Sequence, residues 1–328
     1  MKRKFVLNLL ILFVSIFIIN LQTAVAVAPV TEKVEKTSFK VDSNQIKDEE
    51  AEIISRFSLR NKFQRSPEAQ IRSFYNDFNK YSEKNEVDKL KSLYSDSYVN
   101  NDGFNKNTIF KMVVQAADAY KDVEYTTTIE KIEADGNYAV VDIHEFAIGT
   151  TAKKQEEIDD YGLVSSDLYY TDYLKKEDNK WKIIATNVKS EKVALKYGET
   201  KGMPIEVIAP KLVPAGNEYD VKVKTQSPNG VLVIGSIVNE QIVYPQVQKQ
   251  DVFKSVKSGV LERVLKSNED NHNEYVAVTI GVTRASIEPP QVVFNMTGMA
   301  FIMSRVNIFN QDKKINISEE ANNDKVSR

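Results

Sequence analysis

The segment "VEYTTTIEKIEADGNYAVVDIHEFAIGTT" (residues 123–151) carries the strongest structural signal in this chain. Two runs that alternate polar and apolar residues flank Asp135-Gly136, a dipeptide typical of two-residue hairpin turns. The turn "EDNK" (177–180) likewise separates "SSDLYYTDYLKK" (165–176) from "WKIIATNVKSEKVAL" (181–195). These patterns predict two long β-hairpins in succession, which together form an antiparallel sheet.

The strand that follows Asp135-Gly136 divides into two faces, because successive side chains of a strand point to opposite sides. One face carries Tyr138, Val140, Asp142, His144 and Phe146, and the other carries Ala139, Val141, Ile143 and Glu145. The second set begins as an unbroken apolar series, so it is predicted to face the core. The alternative is an Asp142–His144 acid–base dyad. An outward position would leave that dyad without a water-excluded site, which disfavours it.

Three helices are predicted before the first hairpin. "SPEAQIRSFYNDFNKYSEK" (66–84) starts with a serine N-cap and a proline at the first helical position, and its apolar residues recur at steps of three and four. "NEVDKLKSLYSDSYVN" (85–100) predicts a shorter helix followed by an extended piece. After the turn "NDG", "NKNTIFKMVVQAADAY" (105–120) predicts a third helix.

This order of elements resembles the nuclear transport factor 2-like superfamily, a cone-shaped α+β fold that ketosteroid isomerases and polyketide cyclases also use. The resemblance covers about residues 66–195 and rests on the opening helix, on "LKSLYSDSYVNNDG" (90–103) and on "EDNKWKIIATNV" (177–188). It implies a domain over residues 66–198 with three helices on a curved antiparallel sheet. It implies almost nothing about activity, since fold does not imply function.

Residues 203–312 show only short strands separated by turn residues, a pattern that predicts a β-sandwich. "PKLVPAGNEYDVKV" (210–223) resembles the first turn of bacterial immunoglobulin-like domains. The predicted fold class is therefore α+β: an N-terminal three-helix cone followed by an all-β, immunoglobulin-like sandwich.

The first 26 residues have a basic start, an apolar middle and small residues at Ala24 and Ala26, which is typical of a Sec-type signal peptide. The alternative is an uncleaved membrane anchor, the only case in which we expect contact with a membrane. Residues 27–65 are predicted to be a flexible tether with a short helix, and residues 313–328 a disordered tail. These features predict an exported protein, periplasmic or extracellular.

Composition excludes several classes of function. A formal net charge of −2 argues against a nucleic-acid-binding protein. The absence of cysteine excludes disulfides, thiol catalysis and zinc–thiolate sites. Two histidines in separate predicted domains give no metal-ligand spacing, and there is no glycine-rich phosphate loop. The sequence predicts neither a metal nor a cofactor.

Strand alternation and the helix stripe indicate a pocket beneath the predicted helices. The same residues would equally suit a filled core, and both readings stay open. Asp102 lies near the position of the base in ketosteroid isomerases, although its "NNDG" context favours a turn. The candidate lining residues are Tyr75, Phe78, Tyr98, Asp102, Glu145, Tyr170, Trp181 and Asn187.

The sequence predicts a non-enzymatic envelope protein that binds a small apolar ligand, or a protein or peptide partner. One alternative is an isomerase, cyclase or hydratase with Asp102 or Glu145 as base and Tyr75 or Tyr98 as proton donor. Another is a membrane-anchored component of a secretion machinery. A homodimer through the outward strand face is also predicted, with interface residues Tyr138, Val140, His144 and Phe146.

Overall fold

The computed structural model describes residues 66–84, 86–226, 230–246, 252–256, 259–288 and 291–310. The predicted signal peptide, tether and C-terminal tail lie outside these residues. The described chain is mainly β-sheet with three α-helices near its start.

The three helices begin where the sequence predicts. Helix α1 (Pro67–Glu83) starts at Ser66, whose hydroxyl accepts a hydrogen bond from the Ala69 amide at 3.2 Å. Helix α2 (Val87–Ser92) is one of the shorter elements, and helix α3 (Lys106–Ala119) is capped by the side chain of Asn105. Their apolar stripes include fully buried residues such as Ile71 and Ile109, so the helices pack on the core rather than stand free.

We call the described residues up to Gly198 the first part of the chain and those from Glu199 onward the second part. The first part forms five strands, and each predicted hairpin is present. The strands are β1 (Tyr94–Asn100), β2 (Tyr120–Asp135), β3 (Tyr138–Gln155), β4 (Asp160–Glu177) and β5 (Lys180–Gly198). Gly136 adopts a positive φ in the β2–β3 turn, and Asp178 and Asn179 both do so in the β4–β5 turn.

In the described residues of the second part, a 3-10 turn (Glu199–Gly202) comes first and every later element is a strand. They are β6 (Ile205–Ile208), β7 (Leu212–Pro214), β8 (Glu218–Thr225), β9 (Val231–Gln241), β10 (Lys254–Ser255), β11 (Val260–Lys266), β12 (Glu274–Glu288) and β13 (Gln291–Phe309). Strands β11, β8 and β6 form a separate antiparallel sheet.

One continuous sheet joins the two parts, in the order β10-β9-β12-β13-β5-β4-β3-β2. Strand β5 makes the connection because its two ends have different neighbours. Its first half pairs in parallel with β1 at residues 183–186, and its last half pairs with β13 at residues 192–198. The two parts of the chain are therefore hydrogen-bonded to each other rather than merely tethered.

Two large apolar cores lie on opposite faces of this sheet. The first lies between the helices and strands β2–β5, and it extends onto β12 and β13 through Tyr275, Ala277, Phe301 and Met303. The second lies between the long sheet and the three-stranded sheet and includes Val223, which is fully buried. Because both faces of β12 are covered, its sequence "YVAVTIGV" reads as a continuous apolar run.

Among the residues that the structure describes, no helix is long and apolar enough to cross a membrane.

Candidate functional site

The helix-covered face of the sheet holds two carboxyl groups, Glu145 on β3 and Asp172 on β4. Burial alternates along β3 as predicted, with Val141, Ile143 and Glu145 buried and His144 partly exposed. Glu145 has no exposed surface at all, and Asp172 is 2% exposed. Ionisable groups so deeply placed in an apolar core are typical of functional sites.

Glu145 is incompletely hydrogen-bonded. Its Oε2 accepts hydrogen bonds from the hydroxyls of Thr127 and Tyr170, each at a long 3.5 Å. Its Oε1 has no hydrogen-bond partner in the described residues. A buried polar atom without a partner costs about 1–3 kcal/mol, so this oxygen is one of the features of the core that folding alone does not explain.

By comparison, both carboxylate oxygens of Asp172 accept a hydrogen bond. The Tyr75 hydroxyl donates to its Oδ2 at 2.8 Å and the Thr186 hydroxyl donates to its Oδ1 at 2.6 Å. Alternation along this strand predicts Asp172 on the pocket-facing side together with Tyr170, although Asp172 is not in the list of candidate lining residues given above. The signal was present in the sequence, since Asp172 follows Tyr170 at the spacing of two that keeps side chains on one strand face.

The two carboxyl groups ionise at different pH. Burial, followed by the negative charge of Asp172, raises the pKa of Glu145 to about 8. Burial also raises the pKa of Asp172 to about 6, against the hydrogen bonds from Thr186 and Tyr75. At neutral pH Glu145 is therefore mostly protonated while Asp172 is mostly charged.

Aromatic rings surround this pair. Tyr94 lies at the centre of the cluster, with its ring 4.9 Å from Tyr98 and 5.2 Å from Phe110. Phe78 packs between Tyr75 and Tyr94, at 6.1 and 6.4 Å. Trp181, at the start of β5, is 7% exposed, and its indole Nε1 has no partner in the described residues. The predicted residues Tyr75, Phe78, Tyr98, Tyr170 and Trp181 thus share one buried, aromatic core with Glu145.

The predicted position of Asn187 is wrong. The register of β4 and β5 shifts between Tyr173 and Leu174, where Ile184 is the extra residue on β5. One extra residue reverses the alternation beyond it. Asn187 consequently pairs with Thr171 on the outer face, and Thr186 takes the inward position beside Asp172.

Asp102 does not face the Glu145–Asp172 pair but lies at the junction of the two parts. Arg305 of β13 donates to both of its carboxylate oxygens, at 2.6 and 3.0 Å, and Asn273 donates to Oδ1 at 2.8 Å. Both side chains of the ion pair are fully buried. With each oxygen engaged by a cation, Asp102 is unsuited to the role of base.

A second buried carboxyl group, Glu191 of β5, also lies at this junction. The hydroxyl of Tyr275 on β12 donates to its Oε2 at 2.6 Å, and its Oε1 has no partner in the described residues. Burial raises the pKa of Glu191 to about 7. Three side chains of the second part (Asn273, Tyr275 and Arg305) thereby bind carboxylates of the first. Sequence patterns gave no indication of these contacts, because the partners are 84–203 positions apart.

The outer face of β3 carries the predicted interface residues. His144 stacks on Tyr169 at 4.0 Å, and its Nε2 lies 2.8 Å from a carboxylate oxygen of Asp167. Asp142 pairs instead with Lys189 and Thr171, so the Asp142–His144 dyad does not form. Tyr138 and Val140 pack on Tyr173, Ile184 and Ala185, whereas Phe146 is exposed.

No group of three or more His, Cys, Asp or Glu side chains in the described ranges is arranged to hold a metal ion.

Comparison with known proteins gives matches only among solved structures. No family profile matches the sequence, and no curated protein matches it. A dehydrochlorinase acting on hexachlorocyclohexane, from Novosphingobium barchaimii LL02, is 17% identical over 37% of this chain and 84% of its own, with a TM-score of 0.30. A conserved protein from Planctomyces limnophilus DSM 3776 is 15% identical over 38% of this chain and 95% of its own, with a TM-score of 0.33.

A protein from Streptomyces avermitilis, described as a dehydratase of the NTF2-like family, is 15% identical over 37% of this chain and 93% of its own, with a TM-score of 0.30. Likeness at this level carries no conclusion about the function of the present chain.

Proposed function

We propose that the first part of the chain has the cone-shaped NTF2-like fold, that the second is an immunoglobulin-like sandwich, and that the cone interior binds a small, mostly apolar molecule without chemical turnover. The observation that carries this proposal is the buried, unpartnered Oε1 of Glu145. A ligand with one matching polar group would compensate for the desolvation of this oxygen, and the surrounding rings would bury its apolar part.

The protonation state of Glu145 defines the polar group of the ligand. Its Oε2 already accepts from Thr127 and Tyr170, so the proton of the neutral acid is best placed on Oε1. A carboxylic acid hydroxyl in that position donates a hydrogen bond. The expected ligand is therefore an uncharged molecule with an acceptor oxygen, such as a ketone, an ester or an alcohol.

Ligand binding can be followed by the fluorescence of Trp181, the single tryptophan of the chain. Titration with uncharged alicyclic ketones such as 2-decalone is expected to change Trp181 emission saturably. Glu145→Leu removes the donor and should weaken binding about tenfold. Glu145→Gln keeps a neutral donor and should retain binding. His144→Gln, its neighbour on the opposite strand face, is the matched control, and an equal loss in that variant would contradict the proposal.

A second candidate function, acid–base catalysis, is favoured by the unequal ionisation of the two carboxyl groups. At pH 7 a protonated Glu145 and an ionised Asp172 would supply an acid and a base in one site, as an isomerase or a dehydratase requires. Here Asp172 takes the role that the sequence had suggested for Asp102. Turnover of a bound ketone that Glu145→Gln abolishes while binding persists would favour the enzyme over the binding protein.

We also propose that the protein is exported through its N-terminal segment and acts in the envelope, where the predicted partners are a small ligand or another envelope protein. The apolar run and the Ala24–Ala26 spacing support this proposal. N-terminal sequencing of the protein recovered from its native compartment should begin at Val27. A chain that still begins at Met1 would support the anchored alternative instead.

A further inference from the structure

Three buried polar side chains surround Leu168 on the helix-covered face of the sheet. Glu145 of β3 pairs with Leu168 of β4, and Leu168 pairs in turn with Glu191 of β5. The two glutamates therefore lie in one row, on either side of Leu168. Glu191 shares its strand face with Val193, a member of the first of the two cores. Ser166 precedes Leu168 by two positions, so it belongs to the same face.

Each of these three side chains has a polar atom with no hydrogen-bond partner among the residues that the structure describes: Oε1 of Glu145, Oε1 of Glu191 and Oγ of Ser166. Glu145 has no exposed surface, and Glu191 and Ser166 are 3% and 4% exposed. Ser166 lies diagonally across from both glutamates, and such positions are about 7–8 Å apart. Three neighbouring unpartnered groups in one part of an apolar core indicate a site for a molecule with matching polar groups.

The other oxygen of each glutamate is held on the side away from its counterpart. Oε2 of Glu145 accepts hydrogen bonds from Tyr170 and from Thr127 of the edge strand β2. Oε2 of Glu191 accepts from Tyr275 of β12, which lies on the opposite side of β5. Neighbouring strands are about 4.8 Å apart, so the Cα atoms of the two glutamates are roughly 10 Å apart. At that separation, we expect each acid to need its own polar group on the ligand.

The charges near the two glutamates differ in sign. Burial and then the negative charge of Asp172 raise the pKa of Glu145 to about 8. Burial raises the pKa of Glu191 only to about 7, because a hydrogen bond and the positive charge of Arg305, stronger here than the negative charge of Asp102, oppose the rise. Just above neutral pH, Glu145 is therefore mostly protonated and Glu191 mostly ionised.

These two states accept different chemical groups. A carbonyl oxygen can only accept a hydrogen bond, so it fits the protonated Oε1 of Glu145 and not an ionised Glu191. A hydroxyl group donates to the charged Oε1 of Glu191 and can also accept from the neutral acid, so it fits Glu191 in either state. The hydrogen bonds of Arg305 go to Asp102 and Asn307 and leave this oxygen to the ligand.

We propose that Glu191 forms the second polar end of the site that contains Glu145, and that the ligand is an uncharged hydroxyketone with its carbonyl at Glu145 and its hydroxyl at Glu191. This inference rests on the binding role proposed above for Glu145. The apolar middle of the ligand would lie on Leu168, with the Ser166 hydroxyl beside it. The site then depends on the second part of the chain, because Tyr275 orients Glu191.

Calorimetric titration of the full chain at pH 7.5 tests this proposal with three compounds of one ring frame: 2-decalone, 6-hydroxy-2-decalone and 2,6-decalindione. The wild type is expected to bind the hydroxyketone about tenfold more tightly than 2-decalone, because the added hydroxyl engages an oxygen that is already desolvated. The diketone should bind no more tightly than 2-decalone, since its second carbonyl would face a charged oxygen.

Substitutions of Glu191 separate the two ends of the site. Glu191→Leu should bind the hydroxyketone only as tightly as 2-decalone and should leave the affinity for 2-decalone itself unchanged. Glu191→Gln supplies an amide donor in place of the charged oxygen and should strengthen binding of the diketone about tenfold. Lys192→Leu, at the exposed neighbour on the opposite strand face, is the matched control and should keep the wild-type order of affinities.

Failure of this inference is distinguishable from failure of the proposed function. If 2-decalone binds through Glu145 but the hydroxyketone binds no more tightly, the second polar end is refuted and the function of Glu145 stands. Retention of the hydroxyketone preference in Glu191→Leu, or its loss in Lys192→Leu, would also overturn the inference. If 2-decalone does not bind, both proposals are overturned. If Glu191→Leu loses its circular dichroism spectrum, the gain of diketone affinity in Glu191→Gln decides the question, and no gain refutes the inference.

Discussion

Replacing Arg305 with methionine is expected to lower the free energy of unfolding by about 3–5 kcal/mol, measured by urea denaturation. The change removes both hydrogen bonds to Asp102 and leaves a carboxylate buried without its cation. Such an uncompensated charge is far more costly than the loss of a surface pair. Because the partners belong to different parts of the chain, the change should destabilise the whole protein in one transition.

Two further variants show whether the cost arises from burial. Arg305→Met combined with Asp102→Leu removes both charges and should recover most of the lost stability, since a buried ion pair is often no better than well-packed apolar residues. Arg72→Met is the matched control, because Arg72 pairs with Glu68 at the surface and both side chains are more than half exposed. It should change stability by about 0.5 kcal/mol or less. An equal effect of the two arginine substitutions would contradict this account.

Glu145→Gln is expected to stabilise the protein at pH 8–9 and to flatten its pH dependence. The pKa of Glu145 is raised from 4.5 to about 8 in the folded state, so the folded chain holds a proton that the unfolded chain releases. By linkage, the contribution of this group to stability is present below about pH 4.5 and falls as pH rises to about 8. Because glutamine cannot ionise, the free energy of unfolding of the variant should not fall in this way as the pH rises.

The expected gain at pH 8–9 is about 2–4 kcal/mol, below the ceiling of roughly 5 kcal/mol that the full shift sets, because water entry relieves part of the penalty. Denaturation curves at several pH values measure it. Glu274→Gln is the contrasting control. Glu274 is equally buried, but it accepts hydrogen bonds from Asn268, Asn239 and Tyr219. That variant should be destabilised, and a gain in both would show that burial alone, and not the missing partner of Oε1, is the cause.

Local patterns predicted the inner and outer faces of β3 correctly. The alternation from Tyr138 to Phe146 is uninterrupted over the nine residues, so counting by two placed Glu145 inside and His144 outside. Counting by two gave the wrong result on β5. The extra residue at Ile184 reverses the two faces of the strand beyond it, so Thr186 and not Asn187 points inward. Nothing in "WKIIATNV" marks that bulge, because its position depends on how β5 pairs with β4.

Short-range signals were sufficient for the helices and hairpins of this protein. Serine and asparagine caps, apolar spacing and turn residues act over a few positions. The local sequence is therefore enough to predict the helices and hairpins that they stabilise. The local sequence does not predict which groups will surround a charged side chain in the folded protein. Asp102 stands in a turn sequence, yet its role depends on Arg305, 203 positions later, and on the strand pairing that brings β13 beside β5.

The same physical distinction applies to the candidate site. Sequence alternation was enough to place Glu145 on the core-facing side, because a strand has a fixed period. Its raised pKa and its unpartnered oxygen arise from the helices and strands that exclude water around it. Desolvation is a property of the packed surroundings and not of the residue, so it emerges only when distant segments are brought together.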